Sequence, residues 1–249
     1  MRFQHKETIV VDREVMQYDM VVVGAGPAGL ACAIRFKQQQ PGLSVCVLEK
    51  GAEVGSHILS GAVMQPDALD ELLPEWRKSY LGIRVAATID KFRFMTKQRS
   101  WWFPLPPQLN NHGNFIVSLG ALCAWMASKA EELEIDVFPG FTAAQPLFEN
   151  SAVIGVRCGD MGVSADDTPG PNFAAGVDIH AKLTVLAEGC RGSVSKQLIR
   201  EFQLDKDCSP QTYGLGFKEL WQLPDGRGQA GLIQHSVGWP LNNNTYGGS

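Results

Sequence analysis

The order of hydrophobic and polar residues along the chain predicts which stretches are strands and which are helices. Largely apolar short runs at Met20–Val23 and Ser44–Leu48 indicate buried strands. Pro27–Gln39 and Ser118–Leu133 instead carry apolar residues at helical spacing. The order strand, helix, strand within about 30 residues is that of a right-handed parallel crossover. The pattern therefore predicts an α/β protein whose first sheet begins near Met20.

Glycine and proline interrupt the rest of the chain, which predicts shorter elements there. We interpret 147–187 as a β-meander whose last strand rejoins the first sheet, with a loop at 159–176. The other predicted elements are a broken amphipathic helix at Pro66–Tyr80, a strand at Val85–Met95, an aromatic connection at Ser100–Asn114, strands at 135–140, 152–158 and 177–187 (buried over Leu183–Leu186), a helix at Ser193–Phe202, and strand and turn over 209–249.

Composition and charge then narrow the class of protein. The 249 residues suffice for one large domain or two small ones, and 45% of them are hydrophobic against 19% charged. A net charge of -4 gives no support for a nucleic-acid partner. Residues 1–17 form a polar lead-in without a signal-peptide core, and no stretch is apolar for long enough to span a bilayer. We expect a protein that is soluble or lies on a membrane surface.

The residues that usually carry metal or nucleophilic chemistry show no supporting pattern. The six cysteines include no C-x-x-C pair, so no metal site is predicted on this chain. We interpret His112, His180 and His235 as structural because their spacing is not that of metal ligands. No side chain is assigned as catalytic, which suits a redox protein whose cofactors carry the chemistry.

The strongest chemical signal lies in Val21–Ile34, which reads VVVGAGPAGLACAI. Its spacing Gly24-x-Gly26-x-x-Gly29 follows a strand and opens a helix, as in dinucleotide-binding proteins. An acid, Glu49, ends the next strand, where a carboxylate accepts hydrogen bonds from ribose hydroxyls. We predict a dinucleotide site formed by Gly24, Ala25, Gly26, Pro27, Ala28, Gly29, Glu49 and Lys50. The fingerprint by itself does not distinguish NAD from FAD.

A second segment favours FAD. Leu183–Leu198, LTVLAEGCRGSVSKQL, is a strand, a turn at Glu188-Gly189 and the start of a helix. It resembles the second FAD-contact segment of the large flavoprotein family that includes aromatic hydroxylases. The β-meander before it fits the same plan. The fold class implied is a Rossmann-like FAD-binding domain with an interleaved β-meander and a β-rich region.

Longer stretches resemble one family, electron transfer flavoprotein–ubiquinone oxidoreductase. Among them are GAEVGSHILSGAVMQPDAL, SPQTYGLGFKELW and HSVGWPLNNNTYGGS, and the resemblance runs from Tyr18 to Ser249. It implies an enzyme that takes electrons from reduced electron transfer flavoprotein, passes them through FAD and a [4Fe-4S] cluster, and reduces ubiquinone. It also implies an FAD-binding domain at 18–208 and the start of a ubiquinone-binding region at 209–249.

The same resemblance implies further site residues. His57, Leu59, Ser60 and Gly61 correspond to the loop along the flavin ring, Val137 to the strand beside the adenine, and Tyr246, Gly247 and Gly248 to the quinone turn. Members of the family are longer, and their third flavin segment and four cluster cysteines follow the point matched by Ser249. We therefore expect a fragment without cluster ligands. The implied location is peripheral, on the cytoplasmic side of a bacterial inner membrane.

Alternatives to this function remain open from the sequence. One is an FAD monooxygenase or a geranylgeranyl-reductase-like enzyme, and another is a non-catalytic FAD-binding fragment.

Two segments are candidates for contact with the membrane surface or for covering the core: residues 62–76, rich in leucine, and Trp101–Pro107, where aromatic residues follow Lys97 and Arg99.

Overall fold

A computed structural model describes residues 12–59, 61–164 and 168–242, and the chain forms two compact units. The first unit consists of residues 1–57 and 123–211, and the second of 58–122 and 212–249. In chain order the helices and strands are β1 (Val15–Val23), α1 (Pro27–Gln39), β2 (Val45–Glu49), β3 (Ala62–Met64), α2 (Asp67–Leu72), α3 (Trp76–Ser79), β4 (Arg84–Ala86), β5 (Ile89–Met95), β6 (Ser100–Phe103), β7 (Phe115–Val117), α4 (Leu119–Glu131), β8 (Asp136–Pro139), β9 (Ala143–Glu149), β10 (Ala152–Cys158), β11 (Met161–Val163), β12 (Pro169–Ala174), β13 (Asp178–Leu186), α5 (Ser193–Phe202) and β14 (Leu232–Gly238).

The first unit is built on a six-stranded mixed sheet in the order β8-β2-β1-β13-β10-β9. The first four of these strands are parallel, and β10 and β9 add an antiparallel edge. Residues 20–23 and 45–48 are all buried, as expected for parallel strands covered on both faces. From α1, Leu30, Ala33 and Ile34 are completely buried. The predicted α/β class, with a Rossmann-like crossover and a β-meander, is confirmed.

Three details of the first unit differ from the sequence prediction. β1 begins at Val15 rather than Met20, because Val15–Tyr18 pair with Asp178–Ala181 of β13. The predicted loop at 159–176 contains a hairpin of β11 and β12, which hydrogen-bond to each other. The expected burial of Leu183–Leu186 is wrong, since Leu183 is 48% exposed and the buried residues of β13 lie at its start.

The second unit contains two three-stranded sheets, in the orders β3-β7-β4 and β14-β5-β6. The predicted helix at 66–80 is broken into α2 and α3 around Pro74, whose backbone nitrogen has no hydrogen to donate. Trp76 is completely buried and meets Phe115 edge-on at 5.6 Å between ring centroids. Leu69 and Leu72 are also buried, which favours the alternative that 67–76 covers this unit's core, whereas Val63 is 42% exposed.

Over 209–242, the described part of the predicted strand and turn at 209–249, only the strand near the end is regular. β14 is the single strand in the described part of that range, and residues 209–231 have no helix or strand. Leu215, Phe217 and Leu220 in this segment are 87%, 92% and 100% exposed. Over the described ranges, none of the helices combines the length and the apolar character that crossing a bilayer requires.

Candidate functional site

The four parallel strands of the first unit end at one edge of the sheet. Val23 at the end of β1 is in register with Leu48 of β2 and with Leu186 of β13, and Leu48 is in register with Phe138 of β8. The loops that follow these strands therefore share that edge. In open α/β sheets, ligands bind beyond the carboxyl ends of the strands. The structure thus gathers the predicted glycine loop, Glu49 and Glu188-Gly189 at the edge where a ligand is expected.

Two of the three fingerprint glycines are required by close packing. Gly24 has φ +106°, and a Cβ there would collide with the carbonyl oxygen of Ala187. A Cβ on Gly29 would collide with the carbonyl oxygen of Gly24 and lie 3.1 Å from the Ala187 Cβ. These contacts hold the first turn of α1 against β1 and against the residue after β13. Gly24 and Gly29 therefore shape the loop.

Gly26 is different, because a Cβ at this position would have no atom within 4 Å. It is the N-cap of α1, it offers no side chain to the helix, and Pro27 begins the first turn. That turn contains no acidic residue. The unpaired backbone N–H groups and the partial positive charge at a helix N-terminus suit an anion such as a phosphate. The space over Gly26 lets such a group approach the backbone.

Glu49 lies beside this loop, as predicted. Its carboxylate accepts hydrogen bonds from the backbone N–H of Ala25 at 3.2 Å and of Gly51 at 2.7 Å. A carboxylate has about four acceptor positions. These two contacts orient the Glu49 carboxylate and leave capacity for sugar hydroxyls. The arrangement fits the adenosine half of a dinucleotide, with its diphosphate over Gly26.

The loop after β13 has a different arrangement. The Glu188 carboxylate accepts from the backbone N–H groups of Ser193 at 2.8 Å, of Val194 at 3.1 Å and of Ser195 at 2.7 Å. It also accepts from the Ser195 hydroxyl at 2.6 Å. These four donors use the acceptor capacity of the group. Any contact of Glu188 with a cofactor is therefore confined to its backbone. The neighbouring Gly189 is exposed, has φ +75° and borders open space.

The connections that follow β1 and β13 lead in opposite directions. α1 continues to β2 on one side of β1, whereas α5 reaches β9 at the far edge, where the Gln197 side-chain amide donates to the Ala144 carbonyl at 2.7 Å. Adjacent strands with divergent connections form a topological switch point, the usual ligand crevice of this architecture. The glycine loop and Glu188-Gly189 border that point.

The other predicted site residues lie in the loop after β2, in β8, in the second unit or outside the described residues. Lys50 and His57 are exposed in the loop after β2, and Val137 is half-buried in β8, in register with Val47. Leu59 and Gly61 belong to the second unit, where Leu59 is 67% exposed and the Gly61 carbonyl accepts from Lys218. Ser60 lies outside the described residues, as do Tyr246, Gly247 and Gly248.

Sequence reasoning missed two residues of the site. Ala187 fills the space that Gly24 and Gly29 leave, and Gly51 donates to Glu49 while accepting from the Gly140 N–H at 2.8 Å. A signal for Gly51 was present, since a glycine two residues after the acid allows this tight turn. Nothing in the spacing marked Ala187, because its contact with the glycine loop depends on the pairing of β1 and β13.

All six cysteines are free thiols, and the buried ones form part of the core. Burial raises the pKa of Cys123 to about 11, with a further contribution from the Glu49 carboxylate. Burial likewise raises the pKa of Cys158 to about 11, and it raises the pKa of Cys46 further. These thiols stay protonated at neutral pH, unlike metal-ligating thiolates. Within the described ranges, no three metal-ligating side chains lie close enough to hold an ion.

The fold of the first unit is that of a Rossmann-like domain, and its glycine loop has the arrangement typical of dinucleotide sites. Residues 22–76 match the family model of the NAD(P)-binding Rossmann-like domain. Residues 213–249 match a second model, described as the ubiquinone-binding domain of electron transfer flavoprotein–ubiquinone oxidoreductase. These matches confirm the resemblance to that family predicted from the sequence.

Curated relatives that bear the name of that family match nearly the whole chain. The chain is 50% identical to the mitochondrial electron transfer flavoprotein–ubiquinone oxidoreductase of Oryza sativa over 95% of its length. It is 48% identical to a probable enzyme of that name from Acinetobacter baylyi over 94%, and 44% identical to the Bos taurus protein over 98%. The chain spans 42%, 43% and 40% of these three relatives, less than half of each.

Solved structures share the fold at lower sequence identity. A flavoprotein/dehydrogenase from Cytophaga hutchinsonii aligns with a TM-score of 0.50 and 19% identity, covering 75% of this chain and 42% of that one. At this identity the likeness concerns the fold alone.

Proposed function

We propose that this chain supplies the FAD-binding and quinone-facing part of an oxidoreductase that accepts electrons from reduced electron transfer flavoprotein and delivers them to ubiquinone. The observation that carries the proposal is 44–50% identity to enzymes of that name over 94–98% of this chain. The open helix N-terminus at Gly26 beside Glu49 supports the dinucleotide, and the match at 213–249 supports the quinone.

FAD is the proposed cofactor, and the residues at the sheet edge would hold it. The backbone from Gly24 to Gly29 would take its diphosphate, Glu49 its ribose, and Val137 would lie beside its adenine, with Lys50 nearby. FAD, when bound, supplies the reversible uptake and release of electrons. The residues named here would bind and orient it.

Contacts nearer the flavin ring and the quinone are proposed from the family resemblance. His57, Leu59, Ser60 and Gly61 would lie along the ring, together with the backbone of Glu188 and Gly189. Tyr246, Gly247 and Gly248 would form the turn that meets the quinone. A glycine backbone suits that contact, because it approaches a quinone carbonyl closely and adds no side chain.

The resemblance further implies a [4Fe-4S] cluster, but the cysteines of this chain do not fit one. Cys46, Cys123 and Cys158 are buried in the core with raised pKa values, Cys32 is half-buried in α1, and Cys190 and Cys208 are exposed. Such clusters need four thiolates around one site. No cysteine of this chain is therefore proposed as a cluster ligand.

We also propose a peripheral position on the cytoplasmic face of a bacterial inner membrane. Trp101, Trp102 and Phe103 of β6 are 45%, 52% and 52% exposed, and they lead into a proline-rich turn. Lys91 and Arg93 lie over the Trp102 ring at 5.4 and 4.0 Å. Exposed tryptophan beside cations is typical of surfaces that contact the headgroup region of a bilayer.

The proposed activity is tested on the natural, flavin-loaded protein. Reduced electron transfer flavoprotein is the donor, a short-chain ubiquinone is the acceptor, and NADH and NADPH are control donors. We expect quinol formation with the flavoprotein donor alone. Turnover with NADPH would instead favour the monooxygenase or reductase alternative, and absence of turnover with every donor would favour the non-catalytic alternative.

Membrane contact is tested by flotation with anionic liposomes. We expect Trp101→Ser combined with Trp102→Ser to lower the bound fraction by roughly tenfold. A matched control replaces two exposed aromatic residues of the first unit, Phe148→Ser with Phe202→Ser, each 43% exposed. An equal loss in both double variants, or in neither, would contradict a specific role of β6.

A further inference from the structure

A histidine and an aspartate form a secluded pair in the second unit. His235 of β14 is in register with Phe92 of β5, and Asp90 lies two residues before Phe92 on the same face of this parallel pair. The His235 Nε2 is 3.6 Å from the Asp90 Oδ1, and the two side chains are 17% and 4% exposed. The sequence analysis interpreted His235 as structural, since spacing along the chain does not show its proximity to Asp90.

Asn111 fixes the carboxylate of this pair. Its backbone N–H donates to the Asp90 Oδ2 and its side-chain amide to the Oδ1, both at 2.8 Å. The second amide hydrogen goes to the Leu109 carbonyl at 2.9 Å. Because both amide hydrogens are used, Asn111 has none to donate to His235, whose Nε2 is 3.5 Å from its amide nitrogen. The partner of the imidazole is therefore the carboxylate.

The contacts of Asp90 favour its ionised form. Burial by itself raises the pKa of Asp90, but hydrogen bonds from Asn111 and the proximity of His235 outweigh it and hold the pKa below its ordinary value. Among the nearby cations, Lys91 and Arg93 lie over the Trp102 ring, and Lys91 lines the same cavity as Asp90. The remaining residues of β6 and β14 carry no charge, and His112 in the adjoining loop is exposed.

Asp90 is also one of the residues that line a cavity. Together with Phe92, Trp102, Phe103 and Leu105 it lines an open cavity of about 370 Å³, whose other lining residue is Lys91. The walls are mainly aromatic and aliphatic. Asp90 therefore links this cavity to His235, whose Nε2 is 3.6 Å from its carboxylate. Histidine is suited to proton transfer because its charge changes near neutral pH.

We propose that the His235–Asp90 pair delivers the protons consumed when the quinone is reduced, an inference that rests on the proposed function. His235 lies within the residues that match the ubiquinone-binding model. Two electrons from the reduced electron transfer flavoprotein and two protons convert ubiquinone to ubiquinol. For each proton, an N–H bond of protonated His235 breaks and an O–H bond forms on a quinone oxygen. Asp90 pairs with the imidazolium, and after each transfer the imidazole takes up a proton from bulk solvent by way of Asp90.

The test separates proton delivery from folding and from electron transfer. In the natural, flavin-loaded protein, His235→Gln is compared with wild type for two acceptors, a short-chain ubiquinone and ferrocenium, which accepts one electron and no proton. We expect kcat for ubiquinone to fall about 100-fold, with KM nearly unchanged and ferrocenium turnover retained. His112→Gln, which changes an exposed histidine nearby, serves as the matched control and should leave both rates unchanged.

Two further measurements make the result specific. Added imidazole should restore part of the ubiquinone rate in His235→Gly, and Asp90→Asn should shift the pH profile of kcat for ubiquinone towards lower pH. Equal loss with both acceptors, or full ubiquinone turnover in His235→Gln, would overturn the proton role alone. Wild-type protein that reduces ferrocenium but not ubiquinone would instead overturn the proposed function, and the proton role with it.

Discussion

The first unit contains two helices that begin after neighbouring parallel strands, and their N-termini differ in one respect. α1 follows β1, and α5 follows β13, with glycine at the N-cap of each. At α5, the Glu188 carboxylate accepts three backbone N–H groups and a hydroxyl. At α1, the cap position offers no side chain, and the space over Gly26 is open.

The difference indicates which helix is available for an anion. Both N-termini carry the partial positive charge of a helix dipole. In α5 a carboxylate of the same chain neutralises that charge, so the turn is structurally complete by itself. In α1 the nearest acid, Glu49, binds the loop at Ala25 and leaves the helix end unoccupied. We therefore assign the diphosphate of the proposed FAD to α1 and a purely structural role to the Glu188 side chain.

The largest expected effect comes from adding a methyl group at Gly29, where the glycine loop packs against Ala187. Gly29→Ala places a methyl group against the Gly24 carbonyl and the Ala187 side chain, so the first turn of α1 must move. We expect the free energy of unfolding to fall by about 3 kcal/mol, accompanied by loss of FAD. Urea unfolding followed by circular dichroism measures the first effect. A variant as stable as wild type would show that the packing around Gly29 is looser than described.

A smaller and more selective effect is expected at Gly26. Gly26→Val projects a side chain into the open space without a clash, and the φ of -75° suits any residue. We expect the Kd for FAD to rise about 100-fold, which corresponds to roughly 2.7 kcal/mol, while the free energy of unfolding falls by no more than about 1 kcal/mol because valine is a poor N-cap residue. Gly42→Val is the matched control, because Gly42 also borders open space but lies in the turn before β2. If both variants bind FAD like wild type, the assignment to α1 is wrong.

The smallest effect is expected from removing the cap of α5. Glu188→Ala leaves three N–H groups of the first turn without an acceptor from the chain, which we expect to lower the free energy of unfolding by about 1–2 kcal/mol. FAD affinity should not change. Glu201→Ala, an exposed acid in the last turn of the same helix, is the control and should have little effect on stability. Loss of FAD in Glu188→Ala, measured from flavin absorbance, would return a binding role to this side chain.

Local sequence pattern was enough to predict the glycine loop from Gly24 to Gly29. Val21–Ile34 combines a buried strand, a glycine turn and a helix start, and each of these depends on residues close in sequence. Glu49 could be located as well, because a crossover of fixed length brings the end of β2 beside the end of β1. The structure places both where the sequence indicates.

Features that depend on long-range pairing could not be predicted. The early start of β1 at Val15 requires β13, more than 150 residues later in the chain. The capping role of Glu188 was hidden because its sequence fits a cofactor segment equally well. The proximity of Asp90 to His235 arises only when β14 pairs with β5. In each case the decisive contact joins segments whose spacing carries no periodic signal.

The most direct test of the central claim compares the two helix N-termini in one measurement. Adenosine diphosphate, the part of FAD assigned to α1, is titrated into isotope-labelled protein while backbone amide resonances are followed by NMR. We predict saturable shifts at Gly26 and Ala28, and no shift at Ser193 or Ser195. Shifts at the α5 amides with none at α1, or no saturable shift at either helix, would contradict the account.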